Sequence, residues 1–456
     1  MEFSDLYKQS NAALARFSPD GRFIAVAVEH RLIVRDSENP KRIHRVYSCA
    51  YTTAPYIQEV EWSRDSQFIL TASYATDRVD VWSLEDETWR CAITDEVARV
   101  ERAVWAADSR HVLTFSELDL RLSIWAVEGE EEEDGEQPRR RFIQFPKAQA
   151  GVAFHPDGTH MAVAQRHDYR DYVAIYDMAD WRLVREIALD TVDVAGLAWS
   201  PDGVHIAAWD TASSYAVAVV NVAGVVKRVV EAEGLGVSTC AWSPTGQLLA
   251  LGGHDRRVRV VNSLTWRAVA TLAHRATVAA GDADVFVEVE IGQPLAQQAQ
   301  QQLQQLQQPQ GARVHTRFDL APVPADIRVV VAADVHRVDA RAAVSFAEFS
   351  ADGALLATVC DAMPHALWVW RTSDMRLAAV VQTLRPVRAC CWSPVEPTLA
   401  FATGAATVYL WKLDHGCHLY EIPAATAAAA ALRWNPNGDG LAVLSKGLFA
   451  LAYITA

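Results

Sequence analysis

The sequence lacks the motifs of most enzyme classes. Its 456 residues contain no Gly-x-x-x-x-Gly-Lys phosphate loop, no His-Glu-x-x-His zinc motif and no Gly-x-Ser-x-Gly nucleophile turn. The 14 histidines are scattered, although His155, His160 and His167 form a cluster in the sequence. Since His155 replaces Ser in a repeated turn and His160 begins a strand, we expect no metal site there. The sequence predicts no catalytic residues and no cofactor.

Paired cysteines are missing as well. The chain has seven cysteines, an odd number, and no Cys-x-x-Cys motif, which argues against a zinc site or a disulfide framework. Cys240 and Cys390 each lie two residues before a tryptophan, on the same face of a predicted strand. We expect both to act as small apolar core residues.

Long apolar runs and an excess of positive charge are also missing. No stretch of 18 apolar residues occurs, and Met1 to Asp5 do not resemble a signal peptide. The net charge is −14, which is unsuited to a general nucleic-acid or anionic-membrane surface. We therefore expect neither nucleic acid nor membrane as a partner, and an intracellular, cytoplasmic location.

The sequence does contain one short motif that recurs nine times. In each copy an aromatic residue is followed by a turn similar to Ser-Pro-Asp-Gly. The aromatic anchors are Phe17, Trp62, Trp105, Phe154, Trp199, Trp242, Phe349, Trp392 and Trp434. Successive anchors are 42 to 49 residues apart, except for one step of 107 residues. A repeat of this length that contains several short strands is typical of a β-propeller blade.

The repeat predicts an all-β protein, a single β-propeller over residues 1–456 with nine blades in one ring. Seven blades with two appended repeats is the alternative. The last repeat stops near Ile454 after its third strand, so we expect residues 3–10 to supply the missing outer strand and to close the ring. The tryptophans that follow some third strands, Trp89, Trp181 and Trp266, are expected to pack between blades.

Two insertions interrupt the repeat. Residues 128–141 form a charged insertion, with an acidic run from Glu128 to Glu136 and then Arg139 to Arg141, and we expect a solvated loop. Residues 274–340 contain a Gln-rich low-complexity tract at 297–310. Around this tract, Val285 to Ile291 and Arg328 to Val331 are candidate strands of an extra hairpin or of a degenerate blade.

Carboxylates recur at the turns, and their repetition argues against catalysis, because a turn needs such a residue in every blade. The candidate functional site is instead a bend in the fourth blade that is rich in charge. It contains Arg166, His167, Asp168, Tyr169, Arg170 and Asp171. Rigid loops that hold Arg and Tyr suit protein interfaces. We predict that Arg166, Asp168, Tyr169, Arg170 and Asp171 bind a partner protein, with a plain solvated loop as the alternative.

Several stretches carry a resemblance to a known family. They include Phe17 to Gly21 with Leu32 to Asp36, Ile57 to Ser63 with Val81 to Leu84, Asp168 to Val173, Val258 to Asn262 with Thr265 and Trp266, Leu367 to Trp370, and Ala442 to Lys446. In this order they resemble the WD-repeat family of centrosome and spindle-pole proteins that anchor microtubule minus ends with a coiled-coil partner. The resemblance covers residues 1–280 and 340–456.

The resemblance implies a non-enzymatic scaffold at the centrosome, spindle pole or basal body, with roles in microtubule anchoring and cilium assembly. It implies a coiled-coil centrosomal or spindle-pole protein as the partner, but it does not identify the contact residues. Two rival functions stay open at this point. One is a propeller related to translation initiation, and the other is a propeller hydrolase, against which the missing nucleophile motif counts.

Overall fold

The structure, a computed structural model, describes residues 1–50, 56–95, 98–127, 140–147, 151–230, 236–291, 315–330, 342–423 and 428–454. These residues form strands, turns and one short 3-10 helix, Glu117–Asp119. In this described part, no helix is long and apolar enough to span a membrane. The predicted all-β class and the nine blades are confirmed.

The strands follow one another in chain order. Two short ones open the chain, β1 (Glu2–Phe3) and β2 (Tyr7–Lys8). Blade 1 contains β3 (Ala15–Phe17), β4 (Phe23–Val28), β5 (Arg31–Asp36) and β6 (Ile43–Ser48). Blade 2 contains β7 (Glu59–Trp62), β8 (Phe68–Ser73), β9 (Arg78–Ser83) and β10 (Arg90–Thr94). Blade 3 contains β11 (Val100–Trp105), β12 (His111–Ser116), β13 (Arg121–Ala126) and β14 (Arg140–Gln144).

Blade 4 contains β15 (Val152–Phe154), β16 (His160–His167), β17 (Arg170–Asp177) and β18 (Leu183–Leu189). Blade 5 contains β19 (Val194–Trp199), β20 (Ile206–Asp210), β21 (Ala216–Asn221) and β22 (Gly224–Val230). Blade 6 contains β23 (Val237–Trp242), β24 (Leu248–Gly253), β25 (Arg257–Asn262) and β26 (Ala268–Ala273). The insertion that follows contains β27 (Thr277–Val278), β28 (Asp284–Glu290), β29 (Thr316–Leu320) and β30 (Ala325–Asp326).

Blade 7 contains β31 (Val344–Phe349), β32 (Leu355–Cys360), β33 (Ala366–Arg371) and β34 (Leu377–Gln382). Blade 8 contains β35 (Ala389–Trp392), β36 (Leu399–Ala402), β37 (Thr407–Lys412) and β38 (Gly416–Glu421). Blade 9 has three strands of its own, β39 (Ala431–Trp434), β40 (Gly440–Leu444) and β41 (Leu448–Tyr453). Within each blade, consecutive strands pair antiparallel.

The repeated turn explains why each blade begins with a tight hairpin. In blade 1, Ser18 Oγ donates to Asp20 Oδ1 (2.6 Å), and the backbone N–H of Phe23 donates to Ser18 Oγ (3.0 Å). Gly21 has a φ of 75°, which glycine adopts without steric cost. The same pair of side chains bonds in the turns at Asp65, Asp202 and Asp352. These carboxylates therefore have the structural role that their repetition predicts.

Apolar clusters join each blade to the next, and one of them closes the ring. Between blades 9 and 1, Ile24 and Val26 pack with Leu444 and Phe449. On the same seam, Tyr453 Oη donates to Ser37 O (2.9 Å). Comparable clusters lie at the other eight junctions in the described residues. The described blades thus form one closed ring rather than seven blades with an appendage.

The first residues complete blade 9 as predicted. Both β1 and β2 pair antiparallel with β41. The side chain of Gln9, which is 5% exposed, donates to the carbonyl oxygens of Ser445 (2.6 Å) and Leu448 (3.0 Å). The N–H of Ser10 then bonds Ala27 O in blade 1 (2.9 Å). The start of the chain therefore fastens the last blade to the first.

The tryptophans after the third strands lie at blade junctions. Trp181 contacts His111 of blade 3 edge to face (5.0 Å), and Trp266 contacts His205 of blade 5 in the same way (4.9 Å). Trp89 packs in the cluster between blades 2 and 3. The prediction of inter-blade packing is confirmed for all three.

The structure of the two insertions differs from the sequence prediction in two places. Arg140 and Arg141 belong to β14 and pair with Trp125 and Ile124. Arg141 is exposed, which an outer strand permits. The rest of the charged insertion, residues 128–139, lies outside the described residues, and so does the Gln-rich tract at 297–310. The predicted strand near Val285 is β28, which pairs with β29 as a hairpin. Arg328 to Val330 do not form a strand, and Val331 lies outside the described residues.

Antiparallel strands give the ring two different faces. The turns between the first and second strands and between the third and fourth strands lie on one face, here called the turn face. The bends between the second and third strands and the links to the next blade lie on the other, here called the linker face. Backbone bonds join bend to link, as in Cys49 N to His30 O (2.8 Å) and Phe145 N to Leu120 O (3.2 Å).

Candidate functional site

The predicted site is a hairpin on the linker face of blade 4. Its strands, β16 and β17, have eight residues each, more than the second and third strands of the other blades, so the bend extends from the ring. Asp168 (φ 51°) and Tyr169 (φ 61°) form the tip, and both have the left-handed backbone that a two-residue hairpin turn requires. Tyr169 is 96% exposed. The tip therefore presents an aromatic ring to solvent.

Asp171 is placed differently from the other predicted site residues, because it is only 1% exposed. Its carboxylate accepts hydrogen bonds from Val194 N (2.8 Å), Thr191 Oγ1 (3.1 Å) and Arg166 Nη1 (3.3 Å). A buried carboxylate is tolerated when such donors surround it. Asp171 thus fixes the link between blades 4 and 5, and it has no surface for a direct contact with a partner.

Arg166 lies at the edge of the surface, and its charge is compensated. Its Nη1 also donates to Asp193 Oδ1 (2.9 Å) and to Val192 O (3.1 Å). Lys147 forms an ion pair with the same Asp193, and its ammonium lies 3.6 Å from Asp171. Two cations and two carboxylates therefore form a locally neutral network between the hairpin and the neighbouring links.

His167 supports the hairpin from its other side. Its ring stacks on Tyr172 (centroids 3.9 Å apart) and bonds Glu186 (3.0 Å). The hydrogen bond with Glu186, followed by that with Asp168, raises the pKa of His167 above its usual value. Arg170 and Asp168 stay exposed beside the tip. Of the predicted site residues, Asp168, Tyr169 and Arg170 are thus the ones freely open to a partner, and their binding role stays a prediction.

Sequence reasoning missed the apolar residues around this hairpin. Leu118, Phe145 and Val192 line a depression of about 610 Å³ together with Lys147 and Arg166. Leu118 comes from the bend of blade 3, while Phe145 and Val192 come from the links before and after blade 4. Bends and links have no periodic pattern, so nothing in the sequence marks these residues as neighbours.

The cysteine and histidine side chains described here, which in other proteins often act in catalysis or metal binding, pack in clusters or form turns. All seven cysteines are free, and burial raises the pKa of the Cys240 thiol to about 12. Cys240 and Cys390 pack against inter-blade clusters, as predicted. His155 contacts Asp157 in its turn, whereas His167 lies on the opposite face of the ring. Among the described residues, no group of three or more His, Cys, Asp or Glu side chains could hold a metal ion.

Comparisons with known proteins agree with this architecture. Residues 224–262 match the family described as WD domain, G-beta repeat, a stretch that runs from the outer strand of blade 5 to the third strand of blade 6. The C-terminal WD40 domain of Sif2 has a similar structure, with a TM-score of 0.54, 10% identity, and coverage of 100% of this chain and 99% of that one. At this identity the likeness shows the fold alone.

Two curated proteins are similar in sequence. An uncharacterised WD repeat-containing protein of Schizosaccharomyces pombe is 23% identical over 282 residues, which cover 58% of this chain and 53% of that protein. The mouse WD repeat-containing protein WRAP73 is 35% identical over 463 residues, which cover 100% of this chain and 96% of that protein. The chain therefore belongs to the WD-repeat family that includes WRAP73.

Proposed function

We propose that this protein is a non-enzymatic interaction scaffold at the centrosome, spindle pole or basal body. There it binds a coiled-coil protein, anchors microtubule minus ends and supports cilium assembly. The observation that carries the scaffold role is the set of exposed apolar side chains on one face of a closed ring, with Tyr169 at a hairpin tip and Leu118, Phe145 and Val192 around a depression. The proposed cellular place rests on the sequence resemblance described above.

A rigid ring suits this role physically. Each blade is fastened to its neighbours by buried apolar side chains, so loops on one face keep fixed relative positions. Loops held in this way lose little conformational freedom on binding, which favours protein–protein contacts. The recurring carboxylates are engaged in turns and the buried thiols have raised pKa values, which supports a binding role over catalysis.

Localisation of a fluorescently tagged chain tests the proposal. Foci at spindle poles in mitosis, and at basal bodies in ciliated cells, are the expected result. The translation-related alternative predicts that the protein co-sediments with ribosomal subunits in a sucrose gradient instead. A uniform cytoplasmic signal without foci would refute the proposed place of action.

A further inference from the structure

Five large apolar side chains are exposed together on the linker face beside blade 4. They are Leu118 (80% exposed), Leu120 (53%), Phe145 (50%), Tyr169 (96%) and Val192 (64%), and we call them the blade-4 surface. Leu118, Phe145 and Val192 line one depression, whereas Leu120 and Tyr169 lie in the bends on either side of it in the chain. Single exposed apolar residues are ordinary on a protein surface, whereas several around one depression mark an interaction site.

The backbone at three of these positions is unfavourable for the side chain that it carries. Leu118 (φ 61°), Phe145 (φ 53°) and Tyr169 (φ 61°) all have left-handed conformations. Asn or Gly fits this region with less steric conflict than a bulky residue does. Three apolar side chains are thus kept exposed at positions where smaller or polar residues would stabilise the fold. This combination is typical of residues that serve binding rather than folding.

Described backbone groups around the depression already bond to one another across the bends and links. Phe145 N bonds Leu120 O (3.2 Å), Arg166 N bonds Phe145 O (3.2 Å), and Lys147 N bonds Ala164 O (2.8 Å). An extended peptide that needs main-chain pairing therefore finds little to bind in the described part of this surface. An α-helix satisfies its own backbone and presents side chains alone, which matches a surface that offers mainly apolar side chains.

The charged residues around the depression indicate which charges a bound helix should carry beside its apolar stripe. Lys147 and Arg166, which line the depression, are already paired with Asp171 and Asp193, so they do not select an anionic partner. Glu117 is exposed beside Leu118, and Asp168 is 93% exposed beside Tyr169. The exposed Arg170 pairs with His167 across the hairpin, on the opposite face from the Arg166–Asp171 pair, and so faces away from the depression. The whole chain has a net charge of −14, which attracts a positively charged partner over long distance.

We infer that the blade-4 surface binds an amphipathic α-helix whose apolar stripe is flanked by Lys and Arg residues. This inference rests on the proposed scaffold function and specifies the chemistry of its partner. The apolar stripe contacts Leu118, Phe145 and Val192 around the depression, and Tyr169 covers the helix from the hairpin tip. The basic flanks lie near Glu117 and Asp168.

The test begins with two matched triple variants of the full chain. Leu118→Asn/Phe145→Asn/Tyr169→Asn removes apolar surface where Asn suits the backbone, so its melting temperature should equal or exceed that of the wild type. Val222→Asn/Leu264→Asn/Val395→Asn is the control. It removes three residues that are 50%, 83% and 62% exposed, all in loops of the turn face.

The probe is a displayed library of 21-residue peptides, selected on the wild-type protein and measured by fluorescence anisotropy. Enriched peptides should have apolar residues at a 3.5-residue period with basic flanks. The Leu118→Asn/Phe145→Asn/Tyr169→Asn protein, here called the linker-face variant, should lose at least tenfold in affinity for these peptides. The control should bind them as the wild type does. Should the linker-face variant unfold, Val192→Asn, whose backbone is not left-handed, repeats the measurement.

Four results would overturn the inference. They are no enriched peptide, enrichment of extended or acidic sequences, equal affinity for the linker-face variant, and a self-association in sedimentation experiments that this variant abolishes. Because the selection takes place in vitro, it is independent of cellular location. A wild-type protein that is absent from spindle poles but binds such helices would refute the proposed place of action and leave this surface intact.

Discussion

The indole rings of the anchor tryptophans connect neighbouring blades. Trp62 Nε1 donates to Arg16 O (3.0 Å), and Trp392 Nε1 donates to Glu348 O (2.9 Å). The indole N–H groups of three further anchors also donate to backbone carbonyl oxygens of the preceding blade, namely those of Trp105, Trp242 and Trp434. Each ring therefore combines apolar burial with a hydrogen bond across the junction.

Trp199 departs from this rule. Its Nε1 donates to Gly203 O in its own turn (2.9 Å), and its ring meets His155 of blade 4 edge to face (5.1 Å). The repeat predicts a buried aromatic at Trp199 whose removal costs roughly 3–5 kcal/mol, but the structure shows this ring only partly buried. His155 replaces the Ser of the turn phrase in blade 4, and its bulk occupies the space beside this indole.

The two kinds of anchor should differ in their contribution to stability. Trp392→Ala removes a ring that is 6% exposed and should lower the free energy of unfolding by roughly 3–5 kcal/mol. Trp199→Ala should cost clearly less, because water already reaches its ring. Urea unfolding followed by circular dichroism measures both. Equal losses would show that Trp199 is as much a core residue as Trp392.

His274 is a second residue with a measurable role, since it joins blades 6 and 7. The neutral ring donates from Nδ1 to Arg256 O (2.8 Å) and accepts at Nε2 from Thr358 Oγ1 (2.8 Å). Thr358 Oγ1 in turn accepts from Trp370 Nε1 (3.0 Å). A protonated ring would donate rather than accept at Nε2, so the Thr358 hydroxyl would lose the acceptor for its hydrogen.

The stability of the protein should therefore depend on pH through His274. Burial lowers the pKa of His274 from 6.5 to about 4. The unfolded chain then binds the proton more readily, so the stabilisation by the neutral ring is complete above pH 6.5 and is lost as the pH falls towards 4. The loss amounts to about 3 kcal/mol. In His274→Gln, chemical denaturation between pH 7 and pH 4 should show a correspondingly weaker dependence. If the stability of His274→Gln depended on pH as strongly as that of the wild type, His274 would not be the group responsible.

At the scale of elements, the hairpin β28–β29 is an addition that has become part of the ring. β28 pairs parallel with β34, which gives blade 7 six strands. Glu288, which is 4% exposed, accepts hydrogen bonds from Tyr409 Oη (2.8 Å), Thr316 Oγ1 (2.8 Å) and Leu384 N (2.9 Å). One buried carboxylate thereby fixes the hairpin to both blade 7 and blade 8.

A substitution in the hairpin should destabilise the protein, whereas deletion of the Gln-rich tract between its strands should not. Deletion of residues 297–310 should leave the melting temperature unchanged, because a polar low-complexity segment buries little apolar surface. Glu288→Ala leaves the buried Tyr409 hydroxyl and the partly buried donors of Thr316 and Leu384 without this acceptor, and it should cost roughly 1–3 kcal/mol. Thermal unfolding compares the two. A drop of several degrees in the deletion variant would mean that the tract packs against the ring.

How far the sequence predicts these elements depends on whether a local pattern encodes them. The Ser-Pro-Asp-Gly turns mark the start of every blade because the turn is formed by adjacent residues. The alternation around Val285 predicts a strand, but no local pattern marks its parallel partner β34, in which Val380 pairs with Val285. In the same way, the hairpin around Tyr169 is visible in the sequence. The burial of Asp171 is not, because its partners Thr191 and Val194 come from the next link.

At the scale of the whole molecule, closure of the ring turns nine weak units into one rigid body. A four-stranded blade buries little apolar surface alone and gains stability from its neighbours. The first strands complete blade 9, so no blade is left without a partner on either side. The linker face of blades 3 to 5 then holds the blade-4 surface in a fixed geometry.

The most direct test of this account compares three tagged proteins in dividing cells that lack the endogenous protein. These are the wild type, the Leu118→Asn/Phe145→Asn/Tyr169→Asn variant and the turn-face control, and the measurement is the fluorescence of each at the spindle poles at equal expression. We expect pole foci for the wild type and the control, and a diffuse signal for a linker-face variant that melts no lower than the wild type. Full intensity of that variant at the poles, or no wild-type foci, would contradict it.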